Sequence, residues 1–161
     1  MTEADHAKPW AAALGRIPSG LFILTARRGT EETGMLASWV QQCAFDPPLI
    51  VVALRRGRTL KDWLAAGDAF VVNILDDSQT DMIAYFGRGV TPAENALNEL
   101  PLERTPDGTA ILSETLAFLD CRVESSILTG DHDLVVCRVV GGRMLNEGQP
   151  MVHIRKSGLH Y

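Results

Sequence analysis

Short apolar runs separated by turn-forming residues recur along this chain and predict a protein built mainly of β-strands. Residues 20–27 form the first run, and a polar hairpin loop over 28–34 leads into a second predicted strand at 35–45. Pro47 and Pro48 end that strand, because neither residue can donate to a β-ladder. The remaining predicted strands cover residues 49–54, 69–75, 116–128, 131–145 and 151–154.

The helical signals are short and lie between the strands. Thr59 and Asp62 have the spacing of a capping box, Ser78 is a candidate N-cap, and Pro92 suits a first helical turn. Helices are therefore predicted at residues 10–16, 59–66, 78–85 and 92–100. Because strands mostly follow strands with no long helix between them, an antiparallel barrel is favoured over a doubly wound parallel sheet.

Composition narrows the class of protein. A chain of 161 residues with 46% hydrophobic and 22% charged residues suits one soluble globular domain. A net charge of −5 argues against nucleic-acid or anionic-membrane partners, since phosphate groups select basic surfaces. No signal peptide is recognisable, and no apolar run approaches the roughly 20 residues of a membrane span, so a cytoplasmic protein is expected.

Metal and nucleotide motifs are missing from the sequence. The three cysteines have no C-x-x-C spacing and are expected to be buried apolar residues, and the four histidines have no metal-ligand spacing. No metal site is therefore predicted. No G-x-G-x-x-G, G-K-[ST], H-E-x-x-H or G-x-S-x-G motif occurs, so any nicotinamide cofactor is expected to bind only transiently.

The predicted strand at 35–45 carries small and amide side chains where a sheet core would carry bulky ones. These residues are Ala37, Ser38, Gln41, Gln42 and Ala44. A flat ligand lying along a strand needs short side chains beneath it and backbone N–H groups at its edge. The same pattern also fits an ordinary half-buried strand with one polar face.

A basic segment, Arg55-Arg56-Gly57-Arg58-Thr59, follows the apolar run at 49–54 and precedes a predicted helix. Guanidinium groups bind phosphate oxygens in a bidentate manner, and the N–H groups at a helix start attract anions. The segment therefore predicts a phosphate site. A solvated basic loop in which Thr59 only caps the helix remains the alternative.

The segment at 34–48 reads G-M-L-A-S-W-V-x-Q-x-x-F-x-P-P and resembles the flavin-contacting segment of the flavin reductase-like domain family, the FMN-binding split β-barrels. Further matches follow in the same order at residues 70–75, 116–123 and 130–132. The end of the chain, 153–161, is similar to the end of the C-terminal flavin reductase module of diflavin flavodiiron proteins. The resemblance implies a mainly β, antiparallel, Greek-key type split barrel over residues 14–161, with 1–13 as an N-terminal extension.

The resemblance also implies a set of FMN contacts. By position these are Met35, Leu36, Ala37, Ser38, Trp39, Gln42, Cys43, Ala44, Phe45, Arg55, Arg58 and Thr59. Related modules often carry a serine where this chain has Ala44. The cofactor contact made by that serine hydroxyl is therefore expected to be absent or replaced by a contact from Gln42. Trp39, Phe45 and Phe86 are candidates to stack near the flavin ring, although aromatic residues in strands commonly belong to the core.

Two polar residues have competing interpretations. His132, in Gly130-Asp131-His132, matches a family histidine near the flavin or the visiting nicotinamide, where it could balance charge, supply a proton or shape the pocket. A solvated turn residue is the alternative. Asn73, within the apolar run at 69–75, is interpreted as a hydrogen-bonded core amide rather than a flavin contact.

The activity that the resemblance implies is hydride transfer from NADH or NADPH to FMN, by a homodimer that works with oxygen, free flavin, a partner oxygenase or another redox protein. The alternative is an FMN-dependent electron-transfer module or flavin carrier with little activity of its own towards NAD(P)H. A related barrel that binds haem is disfavoured, because no convincing axial-ligand context is present.

Overall fold

The computed structural model describes residues 8–67 and 69–160, and its elements are mainly β-strands. The strands are β1 (Ser19–Gly20), β2 (Phe22–Arg28), β3 (Glu31–Ala37), β4 (Val40–Ala44), β5 (Leu49–Arg55), β6 (Ala69–Ile74), β7 (Leu102–Arg104), β8 (Ala110–Leu112), β9 (Ala117–Leu128), β10 (His132–Met144) and β11 (Val152–His153). The helices are α1 (Trp10–Gly15), α2 (Thr59–Ala65) and α3 (Thr80–Gly87), and a 3₁₀ turn covers Pro92–Glu94.

A seven-stranded antiparallel sheet forms the body of the protein, in the order β3-β2-β6-β9-β10-β5-β4. Its two edge strands, β3 and β4, follow each other in the chain and are joined only by Ser38 and Trp39. The sheet must therefore curl until its edges approach each other, which leaves a barrel split between β3 and β4. This confirms the predicted mainly β, antiparallel split barrel.

The barrel interior is a core of side chains from most strands of the sheet, among them Leu24, Val52 and Phe70. One mouth is covered by α2, whose Trp63 and Leu64 pack into the same cluster. A second apolar cluster, defined by Ile23, Leu75, Phe86, Leu97 and Leu112, fills the space between the sheet and α3. The sheet is thus covered by a helix at two places, and the candidate site lies between them.

The predicted strand at 35–45 is wrong as a single element. Residues up to Ala37 pair with β2, whereas the chain from Trp39 onwards pairs with β5, and the Ala53 N–H donates to the Trp39 carbonyl at 2.9 Å. Each half has a different partner, so the strand breaks at Ser38. The predicted loop over 28–34 is also too long, since β2 and β3 pair as far as Arg28 and Glu31.

The helix at 92–100 is wrong, because helical structure stops after the 3₁₀ turn, where Asn95 adopts a left-handed conformation with φ 49°. Neither predicted N-cap is correct. Arg58 caps α2 without a side-chain hydrogen bond, and Ser78 lies before α3 and donates to Asp76 instead. The hairpin of β7 and β8 was not predicted.

The two ends of the described chain pack together. The Gly158 N–H donates to Ala11 in α1 at 2.7 Å, and the Arg155 N–H donates to Gly15 at 3.0 Å. Residues 1–7 of the predicted extension, and Tyr161, lie outside the described residues. The division at residue 13 stays a prediction, and α1 spans it.

Two further predictions from the sequence concern the burial of the cysteines and the absence of a membrane-spanning segment. Cys121 and Cys137 are buried as predicted, and burial raises the pKa of the Cys137 thiol to about 12. Cys43 is exposed, which corrects the prediction for that residue, because it lies on the edge strand β4. In the described part of the chain, no helix is long and apolar enough to cross a membrane.

Candidate functional site

A cavity of about 440 Å³ opens beside β3 and is large enough for a cofactor, since small-molecule sites span roughly 300–1,000 Å³. It is bounded by β3, the end of β5, the start of α2, the end of α3 and the first residue of β10. Its lining comprises Leu21, Thr33, Gly34, Met35, Leu36, Ala37, Ser38, Ala53, Arg55, Arg58, Thr59, Leu60, Ile83, Phe86, Gly87, Gly89, Val90, His132 and His153.

The structure divides the residues that were predicted to contact a cofactor. Those that line the cavity are Met35, Leu36, Ala37, Ser38, Arg55, Arg58, Thr59 and His132. Those that do not line it are Trp39, Gln42, Cys43, Ala44 and Phe45. The second group follows the break at Ser38, where the chain crosses to β5, and Phe45 is 89% exposed. Contact of these five residues with a cofactor stays a prediction that the cavity does not support.

The apolar wall of the cavity depends on a close approach of α3 to β3. A Cβ atom on Gly34 would lie 2.5 Å from Cε1 of Phe86, so a glycine is needed where the aromatic ring crosses the strand. Gly34, Phe86 and Leu36 therefore form a continuous surface. From the sequence, Phe86 was only one of three candidate aromatic residues, and Gly34 appeared only as the first residue of the segment that resembles the flavin-contacting segment.

Ser38 presents a polar group that the described residues leave unsatisfied. The side chain is buried, and its Oγ has no hydrogen-bond partner among residues 8–67 and 69–160. A buried hydroxyl without a partner is costly, on the order of 1–3 kcal/mol. Because Ser38 lines the cavity, a bound polar ligand could supply the missing partner, so this residue suits a cofactor.

The polar side of the cavity comes from the basic residues Arg55 and Arg58 and from the hydroxyl-bearing Thr59. Gly57 provides the turn between β5 and α2 with φ +81°. In the described part of the chain the Arg58 guanidinium has no hydrogen bond or ion pair, and its Nη1 lies 3.0 Å from where a Cβ on Gly89 would be. Glycine at position 89 therefore leaves room for an arginine whose charge is available to an anion.

His132 is buried at the cavity wall, which contradicts the solvated-turn interpretation. Its Nδ1 lies 2.8 Å from Oδ1 of Asp131, and the hydrogen bond to the imidazole holds the pKa of Asp131 below its usual range. The ring lies against Trp39 with 4.8 Å between centroids, and the Arg155 guanidinium lies 4.9 Å from the Trp39 ring centre. Trp39 therefore supports His132 from outside the cavity lining.

His153 was not predicted to belong to the site. It lies on β11, where it pairs with Ser19, and it lines the same cavity as His132. It begins the segment 153–161, whose resemblance to the end of a flavin reductase module assigned no cofactor contact to it. A strand near the C-terminus reaches the cavity only because β11 pairs with β1 next to Leu21.

Asn73 has the structural role that was predicted. Its Nδ2 donates to the Ile23 carbonyl at 2.9 Å and to Thr25 Oγ1 at 3.1 Å, and its Oδ1 accepts from the Leu112 N–H at 2.8 Å. The amide is fully buried and does not line the cavity. It links β6 to β2 and β8.

Asp133, next to His132, carries a buried carboxylate that pairs with two cations. Arg56 Nη2 lies 2.8 Å from Oδ1, and Lys61 Nζ lies 2.9 Å from Oδ2. The hydrogen bond from Arg56, followed by that from Lys61, lowers the pKa of Asp133 to about 2. The carboxylate is therefore ionised at any pH near neutrality.

Comparison with protein families gives one match over most of the chain, to the flavin reductase like domain at residues 14–158. Among curated proteins, the chain is 36% identical over 151 residues to diflavin flavoprotein A 1 of Synechocystis sp. and 35% identical to putative diflavin flavoprotein A 6 of Nostoc sp.. Each alignment covers 92% of this chain and 26% of the relative. The chain thus spans about a quarter of the length of these relatives.

Solved structures give the same fold. A homolog of nitrilotriacetate monooxygenase component B from Mycobacterium thermoresistibile superimposes with a TM-score of 0.82 at 26% identity, covering 96% of this chain and 86% of that one. The styrene monooxygenase flavin reductase of Pseudomonas putida S12 has a TM-score of 0.74 at 27% identity, covering 89% and 90%. These structures agree with a split barrel over nearly the whole described chain.

Proposed function

The chain belongs to the flavin reductase-like domain family, and from that premise we propose that it binds FMN and reduces it with NADH or NADPH. The family supports a flavin-binding oxidoreductase. The observation that carries the finer proposal is that one cavity is lined by the Arg58 guanidinium and the Ser38 hydroxyl, neither of which has a hydrogen-bond partner among the described residues. One group suits a phosphate and the other suits the polar edge of a ring.

Different residues of the cavity would bind the phosphate and the ring of the flavin. Arg58, with Arg55 and Thr59, would hold the phosphate by charge-assisted hydrogen bonds. Leu36 and Phe86 supply an apolar surface that excludes water from the ring. When bound, the flavin supplies the hydride and electron chemistry, and the protein supplies position and electrostatics.

FMN is proposed rather than FAD because, in the part of the chain that the structure describes, the arginines that line the cavity form one cluster. Arg55 and Arg58 lie at the β5–α2 turn, within three residues of each other, which suits one phosphate group. The sequence also lacks a dinucleotide motif that would bind an adenosine half.

His132 is proposed to act when the nicotinamide meets the flavin. A buried imidazole at the cavity wall can balance negative charge or hold a proton there, and Asp131 and Trp39 fix its ring. The group is held in place from two sides. It is therefore oriented before any substrate arrives.

A second function is favoured by the curated relatives. They are named diflavin flavoproteins, and this chain matches only about a quarter of each. In such a setting the domain would exchange electrons with another redox centre and react slowly with NAD(P)H. If the protein is instead a reductase, we propose that it supplies reduced flavin to a partner oxygenase. Both solved structures described above carry a monooxygenase in their names.

The first prediction distinguishes these functions by visible spectroscopy. We expect the purified protein to be yellow, to release FMN on denaturation, and to lose its oxidised-flavin absorption within seconds of anaerobic NADH or NADPH addition. Bleaching by chemical reductant alone would favour the electron-transfer module. A colourless protein that gains no flavin spectrum with added FMN would contradict both functions.

The second prediction concerns assembly, because we also propose a homodimer. Large apolar side chains, Ile17 and Val152, are exposed beside a groove that includes Trp39 and Val40. A second copy covering this face would remove that apolar surface from water. Sedimentation equilibrium is expected to give the mass of two chains at micromolar concentration, and the mass of one chain would contradict the proposal.

A further inference from the structure

One buried carboxylate fastens both sides of the basic turn that lines the cavity. Asp133 has a side chain only 1% exposed and pairs with Arg56 before the turn and with Lys61 after it. Between these two cations lie Arg58 and Thr59, which face the cavity. The segment that would meet a phosphate is therefore held at two points by the same anion.

The attachment to β10 is reinforced by the backbone. The Arg56 N–H donates to the Asp131 carbonyl at 3.1 Å, and the Arg56 guanidinium donates to the Thr129 carbonyl at 3.1 Å. Arg55 and His132 are directly opposite each other where β5 and β10 pair. The turn is thus anchored to the same strand end that carries His132.

Asp133 pairs with some of the positive charges of this region and not with others. Arg56 and Lys61 form ion pairs with its carboxylate, whereas Arg55 and Arg58 line the cavity. A buried anion whose two oxygens each pair with a cation is costly to disturb, because removing it leaves those cations without compensation. The loop conformation around Gly57 therefore depends on Asp133.

We infer that Asp133 is a positioning residue that gives this site its preference for a phosphorylated flavin over riboflavin. The inference rests on the proposed function. Asp133 does not line the cavity, so its effect on a ligand passes through the placement of Arg58 and Thr59. The sequence pattern indicated only the neighbouring His132 as a site residue.

Whether Asp133→Asn weakens or tightens FMN binding distinguishes a positioning role of Asp133 from a direct electrostatic effect of its charge. Asp133→Asn removes a negative charge close to the phosphate site, so an electrostatic effect alone would tighten FMN binding. Loss of the two ion pairs releases the turn, so a positioning role weakens FMN binding. Riboflavin has no phosphate and is expected to bind the variant almost as it binds the wild type.

The test measures the dissociation constants of FMN and riboflavin by flavin fluorescence for wild type, Asp133→Asn and Glu124→Gln. Glu124 is a matched control, because it is a β9 carboxylate that pairs with Arg138 on β10 and does not line the cavity. We expect Asp133→Asn to lower the preference for FMN about tenfold, near the low end for a lost charged hydrogen bond. Glu124→Gln should leave the preference unchanged.

The outcomes separate this inference from the proposed function. If wild type shows no preference for FMN over riboflavin, the proposed phosphate site and the inference both fail. If wild type prefers FMN and Asp133→Asn keeps or increases that preference, the inference alone is overturned. Should Asp133→Asn not fold, Lys61→Gln removes one of the two ion pairs from a partly exposed side chain, and an unchanged preference in that variant overturns the inference equally.

Discussion

Replacing Arg58 by alanine is expected to weaken FMN binding roughly 10- to 150-fold, because a hydrogen bond to a charged group contributes about 1.5–3 kcal/mol. The guanidinium lines the cavity and has no ion pair with the described residues, so its charge is available to the phosphate. Flavin fluorescence titration of apoprotein measures the change. Riboflavin, which has no phosphate, should bind the variant and the wild type alike.

Arg27→Ala is the matched control for this truncation. Arg27 is exposed on β2, and its Nε donates to the Gly29 carbonyl at 2.8 Å in the neighbouring turn, away from the cavity lining. We expect its FMN dissociation constant to equal that of wild type. If Arg58→Ala also binds FMN as wild type does, the phosphate is held elsewhere and the proposed site must be moved.

The second large effect is expected on the rate of flavin reduction. His132→Ala should retain FMN but be reduced by NADH or NADPH at least about tenfold more slowly, since losing about 1.4 kcal/mol of transition-state stabilisation lowers a rate tenfold. The imidazole lines the cavity and is oriented by Asp131 and Trp39. Stopped-flow absorbance under anaerobic conditions, at matched FMN occupancy, measures the effect.

His160→Ala serves as the control, because His160 is exposed and does not line the cavity. Its reduction rate should equal that of wild type. An equal rate for His132→Ala would assign His132 a purely structural role. If wild type itself is not reduced by either nucleotide within seconds, the reductase function fails and the electron-transfer module replaces it.

The pairing of Asp133 explains how a carboxylate is tolerated beside the proposed phosphate site. Asp133 remains ionised near neutral pH because its pKa lies at about 2, and its negative charge is compensated by ion pairs with Arg56 and Lys61. A depressed pKa of this kind stabilises the fold above the ordinary aspartate range and loses that contribution as the pH falls towards 2. The turn should therefore keep its conformation throughout the neutral range.

The sequence by itself determined the properties that depend on local pattern. Alternating and continuous apolar runs located the main strands, and the order of strands without long helices indicated an antiparallel barrel. Arg55, Arg58 and Thr59 could be picked out as a candidate phosphate site because side chains that suit an anion follow one another at the end of an apolar run, and all three line the cavity. The segment up to Ser38 was selected by its small side chains and its resemblance to a family segment, and residues 35–38 line the cavity.

Only the tertiary structure decided where the strand over 35–45 breaks, because β3 pairs with β2 while β4 pairs with β5. Neither partner is visible from the strand's own residues, so Gln42 to Phe45 were expected to follow Ser38 into the site. The helix at 92–100 failed for a related reason, since local propensity there is overridden by packing against the second apolar cluster.

The tertiary structure also assembled the parts of the cavity that are distant in sequence. Phe86 and His153 reach it through the packing of α3 on Gly34 and the pairing of β11 with β1. Asp133 meets Arg56 and Lys61 because β5 and β10 are neighbours in the sheet. A sequence pattern shows which residues are neighbours along the chain, whereas a binding cavity is formed by residues that strand pairing and helix packing bring together from distant positions.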